Sequence, residues 1–279
     1  MNICKKLLFI FFIVPAVLAG VVNHEQFKSN SLNSNMEYNV YLPDNYNRNM
    51  KYPVVYLLHG ATGNENDWVA HGDIVATTDR LIRDQLIPPV ILILPDGYPD
   101  SWYVDSPIYK MESAIIKDLM PYVESKYSIN KDLRYIAGLS MGGYGSLRFA
   151  LIYTEYFKGV GLLSPAIYDP LPPENSGART TPVFQTGNTF NEALWKQYNY
   201  TNYLDDYLYS PLSIPMYIVS GDDDVFNVEY YSTLFYEELK EQKKPAELRI
   251  VNGGHSWDVW KDNIDEVLLY FFSKEFQAQ

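Results

Sequence analysis

Arg134-Tyr135-Ile136-Ala137-Gly138-Leu139-Ser140-Met141-Gly142-Gly143-Tyr144 opens a stretch that runs on through Leu147, Phe149 and Leu151 to Tyr153. The run 134–139 reads as a strand, and 144–153 as a helix. Gly138-Leu139-Ser140-Met141-Gly142 joins them. A chain that leaves a strand and enters a helix within so few residues forces strained backbone angles on the central residue. Small residues two positions to either side relieve the crowding, and the serine hydroxyl is left standing at the sheet edge. The plainer alternative is a glycine-rich strand–helix turn that carries an ordinary surface serine.

Outward from this turn, strands and helices alternate. Strands are expected over 39–42, 54–58, 90–94, 160–163, 216–219 and 248–251, and the run 54–58 is bounded by Pro53 and His59-Gly60. Helices are expected over 73–85, around 115–123 with Pro121 as a bend or boundary, over 228–240 and over 257–272. Apolar strands separated by helices indicate an α/β fold with a mostly parallel central sheet covered on both faces. The irregular stretch 164–213, rich in proline and tyrosine, is too long for a connecting loop and reads as a functional insertion. The chain is therefore expected to form one domain over 20–279.

With 279 residues, 47% of them apolar, the chain can build a sizeable core, which excludes wholesale disorder. A net charge of −12 repels phosphate backbones, so no nucleic-acid partner is expected. Lys5-Lys6 followed by the apolar run 7–19 fits a signal peptide cut near Ala19, hence a secreted or periplasmic protein with no stable membrane insertion afterwards. Such cleavage would remove Cys4, the one cysteine, which suits an oxidising compartment. Residues 21–37 offer no pattern, and His24 is expected in an unstructured lead-in. No cofactor and no metal are expected.

A serine hydroxyl needs a base, usually a histidine oriented by a carboxylate. Of the 4 histidines, His59 ends a strand and suits an oxyanion loop, while His71 lies in a polar loop. His255 follows the strand 248–251 across Asn252-Gly253-Gly254 and is the base candidate. Between Ser140 and His255 the one strand end that carries acids is Gly221-Asp222-Asp223-Asp224, and spacing does not choose among its aspartates. A solvated acidic turn or a calcium loop is the competing account of that cluster. Oxyanion donors are expected from the backbone N–H groups of Met141 and Ala61. His59-Gly60-Ala61, Ser140, the insertion, the aspartates and His255 all follow strand ends, which places them on one edge of a parallel sheet.

Several motifs together resemble the putative-esterase branch of the α/β-hydrolases. They are Tyr41-Leu42-Pro43, Tyr52-Pro53-Val54-Val55-Tyr56-Leu57-Leu58-His59-Gly60, Asp67-Trp68, Ser101-Trp102-Tyr103, the serine turn and Gly254-His255-Ser256-Trp257. The branch includes esterase D (S-formylglutathione hydrolase), feruloyl and acetylxylan esterases of carbohydrate esterase family one, and mycolyltransferases. The resemblance implies an α/β-hydrolase fold, Ser140 as nucleophile, His255 as base, Asp224 as the acid and Ala61 as the second oxyanion donor. It implies a serine esterase acting on a small ester or an acylated polysaccharide, feruloyl or acetyl by analogy with secreted relatives. A mycolyl-like acyltransferase, an S-formylglutathione thioesterase and a non-catalytic carbohydrate-binding protein are the alternatives. Trp102, Tyr103, Trp195 and the tyrosines between 198 and 209 are the candidate stacking surfaces for sugar or phenolic rings.

Overall fold

A computed structural model describes residues 19–273, so the signal-peptide expectation for 7–19 lies almost wholly outside the described residues. Its centre is an eight-stranded sheet in the order β1-β2-β4-β3-β5-β6-β9-β10. The strands are β1 (Val21–Ser29), β2 (Ser34–Leu42), β3 (Tyr52–Leu58), β4 (Ile91–Pro95), β5 (Ile129–Leu139), β6 (Gly159–Leu163), β9 (Met216–Gly221) and β10 (Ala246–Val251). From β4 to β10 neighbours run parallel, whereas β2 lies antiparallel to β4 and β1 antiparallel to β2. Helices α1 (Asp67–Ala70), α2 (Ile74–Arg83), α9 (Trp257–Lys261) and α10 (Ile264–Phe272) cover one face. On the other lie α3 (Met111–Ser113), α4 (Met120–Lys126), α5 (Met141–Ile152), α6 (Glu192–Tyr198), α7 (Thr201–Leu208) and α8 (Val228–Glu241).

Side-chain alternation builds the two cores. Val54, Tyr56 and Leu58 of β3 point to one, Val55 and Leu57 to the other, and the whole strand is buried. Apolar residues on both faces are what a strand between two helical layers requires, which is why the unbroken run was legible as a strand.

Two expectations need correction. Residues 21–37 are not a lead-in: they hold β1 and the start of β2, and His24 sits in β1 opposite Asn39. An edge strand with a largely solvated face buries little, here chiefly Phe27, stacked on Tyr122 at 4.9 Å, and so leaves no apolar run to read. The final helix is two, α9 and α10, separated at Asp262 and Asn263. Pro121 marks a boundary, one of the two roles expected of it: a π-helical turn, Ala114–Leu119, bridges α3 to α4 and gives way to the α-helix at the proline near the start of α4. The insertion contains a two-stranded hairpin, β7 (Gln185–Thr186) with β8 (Thr189–Phe190), as well as α6 and α7. Among the described residues no helix is long and apolar enough to cross a membrane.

Candidate active site

Ser140 joins β5 to α5 with φ 52° and ψ −117°, a backbone region that costs a non-glycine residue on the order of 1–3 kcal/mol. Three backbone hydrogen bonds hold it there. Its N–H donates to Leu163 O at 2.9 Å, and its carbonyl accepts from Tyr144 N at 3.0 Å and Ala166 N at 3.1 Å. The flanking glycines are required by close approach. A Cβ on Gly138 would stand 2.4 Å from Gly142 O, and one on Gly142 would stand 2.5 Å from His59 O.

The structure brings Ser140, His255 and Asp224 together. His255 Nε2 lies 2.8 Å from Ser140 Oγ, and His255 Nδ1 lies 2.6 Å from Asp224 Oδ2. The second Asp224 oxygen, Oδ1, accepts the Phe226 N–H at 2.9 Å. Phe226 and Trp260 meet the imidazole edge-on at 4.8 and 5.1 Å and fix its plane. Geometry separates the three acids. Asp224 is buried, whereas Asp222 and Asp223 are exposed, and Asp222 Oδ1 accepts Gly253 N–H at 3.0 Å. That bond, with Asp222 N to Val251 O at 2.8 Å, ties the acidic turn to the turn that carries His255.

The loop after β3 is held by His59. Its Nε2 accepts the Gly97 N–H at 2.8 Å, which leaves Nδ1 to donate to Gly60 O at 2.7 Å, so the ring is a neutral, fixed tautomer. Burial keeps its pKa below the ordinary histidine value, in agreement with that role. Ala61 lines the same cavity as Ser140, and Met141 is the first residue of α5, where backbone N–H groups lack helical partners.

Beside this loop, Asp96 is pushed up to about 6, first by burial and then by the carboxylates of Glu65 and Glu37, against the Tyr98 N–H bond that lowers it. A raised folded-state value means that the ionised form destabilises the fold. The penalty is complete above about pH 6 and vanishes toward pH 4 and below. Asp96→Asn should therefore raise the melting temperature at pH 7–8 by the equivalent of about 1–2 kcal/mol, with the gain disappearing in thermal melts as pH falls to 4.

The cavity has a volume of ≈ 580 Å³ and is walled by Trp102, Tyr168, Phe226, Trp257 and Trp260. Trp102, a candidate stacking surface, is among these walls. Tyr103 and Trp195 are not: both are fully buried and neither lines the cavity. Tyr103 donates its hydroxyl to His59 O at 3.1 Å, and Trp195 packs behind Trp102 at 5.9 Å with its Nε1 donating to Pro170 O. The tyrosines at 198, 200, 203, 207 and 209 do not line it either. Trp257 and Phe226 were within reach of sequence reasoning, since each is two residues from a triad candidate. Tyr168 and Ser176 were not, because the insertion has no periodicity that would orient them. The competing calcium account fits poorly, since Asp224 and Asp222 are engaged as described. The metal-compatible group among the described residues lies elsewhere, at His24, Glu37 and Glu65, where each ring nitrogen stands 3.6 Å from a carboxylate.

A family model described as "Putative esterase" matches residues 29–271, nearly the whole described chain. The chain belongs to that esterase family. It is 33% identical over 162 residues to an endo-1,4-beta-xylanase/feruloyl esterase of Xylanibacter ruminicola, a match that covers 54% of this chain and 22% of the relative. An acetyl esterase of Caldicellulosiruptor saccharolyticus is 28% identical over 221 residues, covering 75% of this chain and 79% of the relative. A solved ferulic acid esterase superposes with a TM-score of 0.79 at 25% identity, covering 91% of this chain and 98% of that one. The architecture is that of the α/β-hydrolase esterases, as the sequence resemblance implied.

Proposed function

We propose that the protein is an exported serine ester hydrolase that works through an acyl-enzyme on Ser140 and cleaves feruloyl or acetyl esters of carbohydrates. The observation that carries this reading is the unbroken hydrogen-bond chain from Ser140 Oγ through His255 to Asp224, opening into an aromatic-walled cavity. Ser140 Oγ attacks the ester carbonyl while its proton passes to His255 Nε2, and Asp224 stabilises the resulting imidazolium. The N–H groups of Ala61 and Met141 hold the oxyanion. As the tetrahedral species collapses, the C–O bond to the alcohol breaks and the alcohol takes the proton from His255 Nε2. Water, deprotonated by the same nitrogen, then releases the acid. Phenolic acyl groups fit a cavity faced by Trp102, Tyr168 and Phe226. Lys5-Lys6 and the apolar run behind them support action outside the cytoplasm.

The test is a substrate panel of p-nitrophenyl acetate, methyl ferulate, acetylated xylan and S-formylglutathione, with product analysis in the presence and absence of added sugar. Methyl ferulate or acetylated xylan should be hydrolysed to free acid. Preferential turnover of S-formylglutathione, or acyl products appearing on the sugar, would replace this reading with a thioesterase or a transferase.

A further inference from the structure

The sheet order sets β3, β5 and β6 side by side, so the cavity around Ser140 is flanked by two loops. Ala166, Tyr168, Ser176 and Gly177 come from the β6 side, and Gly60, Ala61, Thr62 and Asp67 from the β3 side. Asp67 is the one carboxylate among the lining residues, and none of them is lysine or arginine. Its side chain is half-buried, and no hydrogen bond or ion pair to its carboxylate is found among the described residues. His59 stands close by but is buried and neutral, so it leaves the charge in place. Arg179, near the lining residues in sequence, is committed to Pro172 O, to Glu174 and to the face of the Phe190 ring. Asp67, packed with one carboxylate oxygen against Gly63 at the start of α1, therefore adds a negative charge without an ion-pair partner to the lining of a cavity with low-dielectric aromatic walls, where such a field reaches further than in water.

On the esterase reading of this site, we propose that Asp67 is a specificity-determining charge filter, which favours neutral esters and disfavours those with an anionic group near the scissile bond. The class selected is the ester of a neutral sugar or simple alcohol. The class selected against includes thioesters of peptides with free carboxylates, glutathione among them. Discrimination arises from like-charge repulsion against the wrong substrate rather than from a new attraction to the right one.

The test compares 4-acetoxybenzamide with 4-acetoxybenzoate, which differ in leaving-group charge at nearly equal shape, in the wild-type protein and in Asp67→Asn. The isosteric change keeps the side chain's volume, and comparing the kcat/KM ratio of the two esters between proteins cancels their intrinsic reactivities. The neutral-over-anionic ratio should fall about fivefold or more in Asp67→Asn. In the wild type it should also fall as ionic strength rises from about 0.02 M to about 0.5 M, and the variant's ratio should respond far less. An unchanged ratio in Asp67→Asn, or a wild-type ratio indifferent to salt, would overturn the filter. Because the net charge of −12 by itself makes the rate on an anionic ester salt-dependent, the variant's ratio carries the decision, and Asp67→Ser takes the place of Asp67→Asn should that variant not fold. Should the wild type cleave neither ester faster than Ser140→Ala, the esterase reading itself fails, which is a different outcome.

Discussion

Ser140→Ala is expected to lower kcat/KM for any cleaved ester by about 10⁴-fold or more while circular dichroism and the melting temperature stay close to wild type. The hydroxyl's one hydrogen bond is to His255 Nε2, so its removal takes away the attacking atom and little else. The backbone bonds to Leu163, Tyr144 and Ala166 do not involve the side chain and should hold the turn in place. Alanine keeps a Cβ, so the cost of φ 52° is retained. Glycine would remove that cost, and Ser140→Gly should therefore be equally inactive yet more stable by about 1–2 kcal/mol. An inactive protein that melts higher than wild type is what a strained nucleophile predicts. Substantial turnover in Ser140→Ala would refute the assignment.

How much was legible follows from what each residue has to do. The buried strands were readable because a position covered on both faces admits only apolar side chains, and runs such as Val54 to Leu58 show it directly. The serine turn was readable because Gly138 and Gly142 have no room for a Cβ, a constraint that reaches the sequence unchanged. β1 was not, because an edge strand with one solvated face leaves too few apolar residues to distinguish it from a lead-in. The aromatics divide the same way. Composition shows that Trp102, Tyr103 and Trp195 are present, but whether a ring faces solvent or a second layer depends on a backbone direction that no local pattern encodes. Trp102 reaches the cavity, whereas Trp195 supports it from behind. Asp224 was open on spacing alone, since its neighbours are identical in type. Burial and the His255 contact separate it.

That separation sets the second large effect. Asp224→Asn is expected to lower kcat by about 10³- to 10⁴-fold, whereas Asp222→Asn and Asp223→Asn should stay within about threefold of wild type. The reason lies in which oxygen does what. Asp224 Oδ1 accepts the Phe226 N–H, so an asparagine will keep its carbonyl there and turn its NH₂ toward His255 Nδ1. Nδ1 must then accept, which places the ring proton on Nε2, opposite Ser140 Oγ, where it blocks proton transfer from the hydroxyl. The fault is in the tautomer, so substrate binding and the fold should survive and the loss should fall on kcat rather than KM. Asp222 is different: its Oδ1 accepts the Gly253 N–H, and asparagine supplies an equivalent acceptor. Asp223 is exposed and loses only a solvated charge. Steady-state kinetics on the three single variants therefore give a sharp contrast if Asp224 orients the base. Equal losses across the three would mean that the acidic turn acts through its summed charge and that no single carboxylate steers His255.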